Sequence, residues 1–223
     1  MTAAHAGAMI GSMASESDAQ REGDVHVVVF AAGRSSRMGF PKAFAEIAGE
    51  LALARVLRLA RSQRLPVRVV LGFHADAIRA RVPLDEREVV VNPAPERGQS
   101  SSLRIGAAAL PEGSALALWP VDHAHVAEAT FLRLLAEFGA RAPGVALVVP
   151  SHAGRRGHPL LGDGAVRREF AALKDDEPGH VVLRRDPKRV LHVVVDDPAV
   201  VSDFDVPGEI PGAPPTPPPR TPS

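Results

Sequence analysis

The sequence has no cysteine among its 223 residues and carries no net charge, with 26 lysines and arginines against 26 aspartates and glutamates. Without cysteine, disulfides, thiolate metal sites and a cysteine nucleophile are excluded, so any metal is bound through oxygen or imidazole. The balanced charge indicates neither a nucleic-acid-binding surface nor a polybasic membrane anchor. We therefore expect a small-molecule partner, and carboxylates with magnesium suit the available ligands.

Long apolar runs are also missing. Residues 1–24 lack the basic start and sustained apolar run of a signal peptide, and no stretch approaches the length of a membrane span. This pattern predicts a cytoplasmic protein. Residues 1–24 are predicted to form a disordered leader and residues 211–223 a Pro-rich disordered tail. The remaining segment, 25–210, has the length of one well-buried domain.

Within that segment, short β-branched runs alternate with longer amphipathic stretches, a pattern typical of a mainly parallel sheet covered by helices on both faces. The predicted strands are 25–30, 67–71, 88–91, 115–119, 145–149 and 190–195. The predicted helices are 51–63, 74–81, 101–110, 126–138 and 165–173. In such α/β sheets, ligands bind beyond the carboxyl ends of the strands, so the loops that follow the strands are the candidate functional segments.

The loop after the first strand reads Ala31-Ala32-Gly33-Arg34, followed by Ser-Ser-Arg-Met-Gly-Phe-Pro-Lys up to position 42. A small-residue turn allows backbone N–H groups to approach a polyphosphate closely, and Arg37 and Lys42 supply cations for the phosphoryl groups. The loop has neither the Walker spacing nor the dinucleotide glycine pattern. It therefore predicts a nucleotide-phosphate site of a different type.

Aspartates follow later strands. Asp122 ends the apolar strand that includes Trp119, where a metal ligand would lie in this architecture. A second ligand is expected from Asp203 or Asp205, which are spaced two apart so that both side chains can point the same way. A turn-forming or helix-capping aspartate is the ordinary alternative at each position.

Two further loops carry polar residues that suit anionic ligands. Gly98-Gln99-Ser100 leads into Ser101 and Ser102 at the start of a helical run, where N–H groups can face a phosphate. Arg156 and His158 flank a glycine after the strand at 145–149, and a histidine beside two arginines suits an anionic acceptor. Helix capping by Ser100 and a neutral loop histidine at position 158 are the alternatives.

The pattern A-A-G-x-S-x-R-M-G-x-P-K after an opening strand resembles the signature of the molybdopterin cytidylyltransferases, a family of MobA-like NTP transferases. The likeness continues through residues 92–106, Arg156-Gly-His158-Pro and Asp203-Phe-Asp205-Val-Pro. It implies a Rossmann-like, three-layer αβα nucleotidyltransferase fold of the GT-A-like type.

The resemblance also implies a set of ligands and residue roles. The implied ligands are CTP and Mg²⁺, with the molybdenum–molybdopterin cofactor as phosphorylated acceptor and pyrophosphate as coproduct. A molybdoenzyme would receive the product. By the same likeness, Arg37 and Lys42 contact the NTP phosphates, residues 31–34 approach the nucleotide together with Ser101 and Ser102, and Asp205 is favoured over Asp203. Arg156 and His158 lie toward the acceptor.

The sequence departs from the family pattern at three places: the proline expected two residues after Asp122 is Ala124, the usual Gly-Asp-x-Gly-x-Arg segment is replaced at 174–180, and Val206 replaces a threonine. The departures affect the acceptor side more than the metal and NTP side.

Two alternatives therefore remain. One is the same reaction with a sugar phosphate or another small-molecule acceptor. The other is a non-catalytic nucleotide-binding protein that serves as a molybdoenzyme chaperone.

Overall fold

The computed structural model describes residues 24–212 as ten strands and six α-helices joined by short turns. The strands are β1 Val25–Ala31, β2 Glu46–Ile47, β3 Glu50–Leu51, β4 Val67–Leu71, β5 Val89–Val91, β6 Ala115–Pro120, β7 Leu147–His152, β8 Arg155–Arg156, β9 Leu160–Gly162 and β10 Val190–Val194. The helices are α1 Ala52–Ser62, α2 Ala75–Arg81, α3 Gln99–Ala108, α4 Glu128–Gly139, α5 Gly164–Ala171 and α6 His180–Arg185. Residues 1–23 of the predicted leader and residues 213–223 of the predicted tail lie outside the described residues.

One eight-stranded sheet forms the centre of the molecule, in the order β10-β7-β9-β6-β1-β4-β5, with β8 paired to β7. β1 is parallel to both β4 and β6, β5 is parallel to β4, and β10 is parallel to β7. Only β9 and β8 run antiparallel to their neighbours in this sheet. Because β1, β4 and β6 are parallel, the loops that follow them meet at one edge of the sheet.

Alternating residues of the central strands pack into two hydrophobic cores, one on each face of the sheet. Val27 and Val29 of β1 face the core shared with α1, α2 and α4, which includes the fully buried Phe131. Val28 and Phe30 face the opposite core, shared with α3, α5 and α6. The fold is therefore a three-layer αβα arrangement, as the sequence pattern predicts.

The structure agrees with all the predicted strands and helices in kind and differs in detail. The strand predicted at 145–149 begins at Leu147 and continues to His152, and the helix predicted at 101–110 begins two residues earlier, at Gln99. β9 and α6 were not predicted, since three and six residues are too short to show a periodicity. Among the described residues, no helix combines the length and apolarity that crossing a membrane requires.

Candidate active site

A cavity of about 420 Å³ opens at the carboxyl ends of β1 and β6. Its walls come from the loop after β1, the loop after β4, the start of α3, the turn after β6 and the segment around Asp205. The lining residues are Phe30, Ala31, Ala32, Gly33, Arg34, Ser35, Ser36, Arg37, Pro41, Lys42, Ala43, Phe73, Pro95, Gly98, Gln99, Ser102, Pro120, Val121, Asp122 and Asp205.

The centre of this cavity is a cluster of two carboxylates and two cations. The Lys42 ammonium donates to Asp122 Oδ2 at 2.8 Å and to Asp205 Oδ1 at 2.7 Å. The other oxygen of Asp205 lies 2.6 Å from Arg37 Nη2. Asp122 and Asp205 are 83 positions apart in the sequence. Asp122 directly follows β6, and Asp205 lies on the segment after β10, the last strand of the sheet. Of the two aspartates left open by the sequence, only Asp205 lines the cavity, and Asp203 is exposed.

The charges in this cluster stabilise one another. Burial by itself would lower the pKa of Lys42, but the hydrogen bonds to Asp122 and Asp205 outweigh it and raise the pKa above its ordinary value. The hydrogen bond and the charge of Lys42, followed by the charge of Arg37, lower the pKa of Asp205. Both groups are therefore charged at neutral pH.

The backbone between Arg34 and Lys42 forms a tight turn that directs Lys42 into the cavity. Ser35 has a positive φ of 52°. Its hydroxyl accepts a hydrogen bond from the Lys42 backbone N–H at 3.1 Å, and its carbonyl accepts one from the Met38 N–H at 3.0 Å. The Met38 side chain is buried in the core and Ala43 is buried directly after Lys42. The turn is thus fixed at both ends, and Lys42 extends from it with little freedom.

The loop after β1 comes close to the loop after β4. A Cβ at Gly72 would lie 2.5 Å from the Ala32 carbonyl oxygen, so only glycine allows this approach. The Phe73 N–H donates to the same carbonyl, and the Arg34 guanidinium lies 4.2 Å from the centre of the Phe73 ring. A Cβ at Gly33 would meet no protein atom within 4 Å, so the space above its backbone is open to a ligand.

The two serines at the start of α3 occupy different positions. The buried Asn92 donates to Ser101 Oγ at 2.9 Å and to Ser102 Oγ at 3.0 Å. Ser102 lines the cavity, whereas Ser101 donates to the Gly98 carbonyl and does not line it. Ser101 therefore fixes the loop in front of α3, and of the two serines predicted to contact the nucleotide, only Ser102 lines the cavity.

A second cavity, of about 310 Å³, adjoins the first and shares Phe30, Gln99 and Pro120 with it. Its further lining residues are largely apolar and include two arginines and two histidines. They are Leu103, Leu118, Val149, Arg156, Gly157, His158, Leu160, Phe170, Pro178, Gly179, His180, Leu183 and Arg184. The structure thus places Arg156 and His158 in this second cavity and Arg37 and Lys42 in the first.

His158 lines the second cavity and is partly buried. Burial, with a further contribution from the neighbouring His123, lowers the pKa of His158 to about 4. The ring is therefore neutral at pH 7, and its Nδ1 has no hydrogen-bond partner among the described residues. A neutral imidazole adds no charge to the cavity.

Sequence reasoning missed three residues of the first cavity and of its junction with the second. Phe73 and Pro95 line the first cavity, and Gln99 lines both. Phe73 directly follows Gly72 at the carboxyl end of β4, so its position after a strand was the one available signal. Pro95 and Gln99 lie within residues 92–106, which resemble the family, but neither residue was itself predicted to contact a ligand.

The donor set of the site suits a hard divalent cation. Asp122 and Asp205 contribute carboxylate oxygens, the ligands that Mg²⁺ and Mn²⁺ prefer, and both already contact one cation, the Lys42 ammonium. Within residues 24–212, no group of three or more His, Asp or Glu side chains is arranged to hold a metal. Two carboxylates leave coordination positions for phosphate oxygens and water, which is the usual arrangement of Mg²⁺ with a nucleotide.

Comparison with known proteins finds crystal structures of similar fold. The crystal structure of Rv0371c from Mycobacterium tuberculosis H37Rv is 29% identical, with a TM-score of 0.73 over 85% of this chain and 96% of that one. Its complex with manganese is 27% identical, with a TM-score of 0.63 over 78% of this chain and 89% of that one. No curated protein sequence matches the chain.

More distant structures share the fold. Molybdopterin-guanine dinucleotide biosynthesis protein A from Archaeoglobus fulgidus is 17% identical, with a TM-score of 0.61 over 83% of this chain and 94% of that one.

The model of the MobA-like NTP transferase domain matches residues 27–190. Because this match covers most of the chain, the protein belongs to the MobA-like NTP transferase family and is a nucleotidyltransferase by family.

Proposed function

We propose that the protein transfers a cytidylyl group from CTP, with Mg²⁺, to the phosphate of the molybdenum–molybdopterin cofactor and releases pyrophosphate. The observation that carries this proposal is the Lys42 ammonium, which joins Asp122 and Asp205 in the first of two adjoining cavities. The first cavity, with its charged cluster, suits an NTP, and the adjoining cavity suits an acceptor.

The first cavity is lined by both charged and less polar residues. Arg37, Lys42 and the carboxylates suit a triphosphate with its metal. Phe73 and Pro95 belong to the less polar part of the lining and would suit a base and ribose. CTP is favoured because the Ala31-Ala32-Gly33 form of the first loop resembles that of the CTP-using enzymes.

Asp122 and Asp205 would hold the magnesium ion. When bound, the ion would supply positive charge to the α-phosphate and so favour nucleophilic attack there. The protein cations act in the same direction, since Arg37 and Lys42 would neutralise the charge that develops on the leaving pyrophosphate.

The second cavity favours an acceptor with an extended apolar or planar part over a sugar phosphate. A sugar ring presents hydroxyl groups that need several hydrogen-bond partners, whereas this cavity is walled by Leu118, Leu160, Phe170 and other apolar side chains. Arg156 supplies a positive charge, and the neutral His158 lines the cavity without adding charge. This combination suits a phosphorylated pterin, and a molybdoenzyme would receive the product.

The proposed reaction is a single displacement. A phosphate oxygen of the acceptor forms a bond to the α-phosphorus of CTP, and the bond from that phosphorus to the bridging oxygen of the β-phosphate breaks. Pyrophosphate leaves with the electron pair, near Arg37 and Lys42. No covalent enzyme intermediate is needed, since donor and acceptor bound in the two adjoining cavities would lie side by side.

The experiment is to incubate the protein with Mg²⁺, molybdenum–molybdopterin and each of the four NTPs in turn. Pyrophosphate release is measured, and the product is identified by mass spectrometry. A cytidylylated pterin formed with CTP is the expected result. If turnover occurs only with another NTP or another acceptor, the proposed substrates are wrong and the proposed reaction type stands. Absence of turnover with every pair, together with retained NTP binding, would favour the non-catalytic alternative.

A further inference from the structure

Glu209 makes contacts that no part of the proposed mechanism uses. Its Oε2 atom accepts a hydrogen bond from the Asp205 backbone N–H at 2.7 Å and a second from the Val206 N–H at 3.3 Å. The Glu209 N–H donates back to the Val206 carbonyl at 3.0 Å. The side chain therefore closes a short turn around the residue whose carboxylate contacts Lys42 and Arg37.

No other side chain shares this task within the described chain. At the start of a helical turn, a serine or threonine hydroxyl usually accepts one of the free N–H groups, while a glutamate three residues later accepts another. Position 206 is a valine, which has no acceptor atom. The carboxylate of Glu209 is therefore the one side-chain acceptor for the N–H groups of Asp205 and Val206 in the described structure.

Buried residues fix the segment on both sides of this turn. Phe204 is fully buried, and Ile210 is buried in the same core. Between them the chain is exposed from Val206 to Glu209, and Asp205 is half-buried. Core packing thus sets where the segment lies, and the Glu209 contacts set the direction in which the Asp205 backbone presents its side chain.

We propose that Glu209 is a positioning residue that orients the Asp205 carboxylate toward Lys42 and the divalent metal. The inference rests on the proposed metal-binding role of Asp205. Glu209 does not line the cavity, so it acts through the backbone of Asp205 and does not contact the ligands itself. Residues that orient a metal ligand typically change metal affinity by about 10- to 100-fold when they are removed.

The test measures Mn²⁺ binding to the full-length protein, without substrates, from the electron paramagnetic resonance signal of free Mn²⁺. Asp205→Asn should weaken binding strongly, and Glu209→Ala should weaken it by about 10- to 100-fold. Glu209→Gln retains a side-chain oxygen that can accept the same two hydrogen bonds, so it should keep most of the affinity. Asp203→Asn is the matched control, because it removes a nearby negative charge from an exposed residue outside the cavity.

Activity measurements distinguish a misoriented Asp205 carboxylate in Glu209→Ala from a general loss of structure in that variant. In Glu209→Ala, saturating Mg²⁺ should restore most of the turnover, whereas in Asp205→Asn it should not. If Glu209→Ala binds Mn²⁺ as the wild type does while Asp205→Asn does not, the inference about Glu209 is wrong and the metal site stands. If wild type and Asp205→Asn bind Mn²⁺ equally, both the metal site and the role of Glu209 are wrong.

Discussion

Lys42 brings together two carboxylates that the sequence places far apart. Its ammonium contacts both Asp122 and Asp205, and its own side chain is only 15% exposed. In a partly buried cluster, an unpaired carboxylate is costly, so each member of the cluster supports the others. This arrangement makes separate predictions for the carboxylates and for the cation.

Replacing either carboxylate by its amide should abolish turnover without unfolding the protein. In Asp122→Asn or Asp205→Asn, the loss of charge removes a metal ligand, whereas the loop position adds little to core packing. Pyrophosphate release should fall by about 10²- to 10³-fold or more at fixed Mg²⁺, with an unchanged circular dichroism spectrum. Asp203→Asn is the control with wild-type activity. A wild-type rate in Asp122→Asn would remove that residue from the mechanism.

Removing the Lys42 ammonium should slow the chemical step. Lys42→Ala loses one positive charge near the leaving pyrophosphate, so kcat should fall by about 10²- to 10³-fold while the acceptor KM changes little. Lys188→Ala, in an exposed turn outside both cavities, is the matched control. An effect of Lys42→Ala confined to the acceptor KM would contradict its assignment to the NTP phosphates.

Among the elements, α3 lies close against the sheet. A Cβ at Gly106 would lie 2.8 Å from Val28 Cγ1 and 2.9 Å from Val70 Cγ2. The helix can therefore lie directly against β1 and β4 only with glycine at this position. Its first residue, Gln99, lies between the two cavities, so the packing of α3 determines where the junction of the site is placed.

Gly106→Ala should lower the free energy of unfolding by about 1 to 3 kcal/mol, because the added methyl group overpacks the helix against the sheet. Gly139→Ala in α4 is a matched control, since its Cβ would meet no atom within 4 Å. That variant should be as stable as the wild type, or more stable by up to about 1 kcal/mol, because alanine favours the helix. Chemical denaturation of both variants gives the comparison. Equal stability of the two variants would show that α3 can move away from the sheet without cost.

The elements also show what the sequence could predict. The long apolar strands and amphipathic helices were predictable because periodicity is a local property. The first loop, Asp122 and the pair Asp203/Asp205 were recognisable because they follow strands or match a motif. β9, α6 and the cavity contacts of Phe73 depend on which segments meet in space. Glu209 escaped attention because Val206 breaks the threonine-to-glutamate pattern that would have indicated a closed turn.

For the molecule as a whole, buried histidines make stability dependent on pH. His26 is fully buried in β1, and neither ring nitrogen has a hydrogen-bond partner among the described residues. Burial, followed by the charge of Arg68, lowers the pKa of His26 from 6.5 to about 4. The pKa of His158 is lowered to a similar value by burial. Both rings are therefore neutral in the folded protein under conditions in which the unfolded chain takes up protons.

Stability should consequently fall as the pH decreases from about 6.5 toward 4, and it should be independent of these histidines above pH 7. Each such histidine contributes a slope of at most about 1.4 kcal/mol per pH unit. His26→Leu should remove one of these contributions, so its unfolding free energy should depend less steeply on pH than that of the wild type. Urea denaturation at pH 5 and pH 7.5 measures the difference. Identical pH dependence in both proteins would show that His26 does not stay neutral on folding.

The most direct test of nucleotidyl transfer follows the phosphates of CTP separately. The wild-type protein is incubated with Mg²⁺, molybdenum–molybdopterin and CTP labelled with ³²P at either the α- or the γ-phosphate. We expect the α-label in the acceptor product and the γ-label in pyrophosphate, in equal amounts. Transfer of the γ-label to the acceptor, or release of labelled inorganic phosphate without labelled product, would contradict the account, since the protein would then cleave CTP at a different bond.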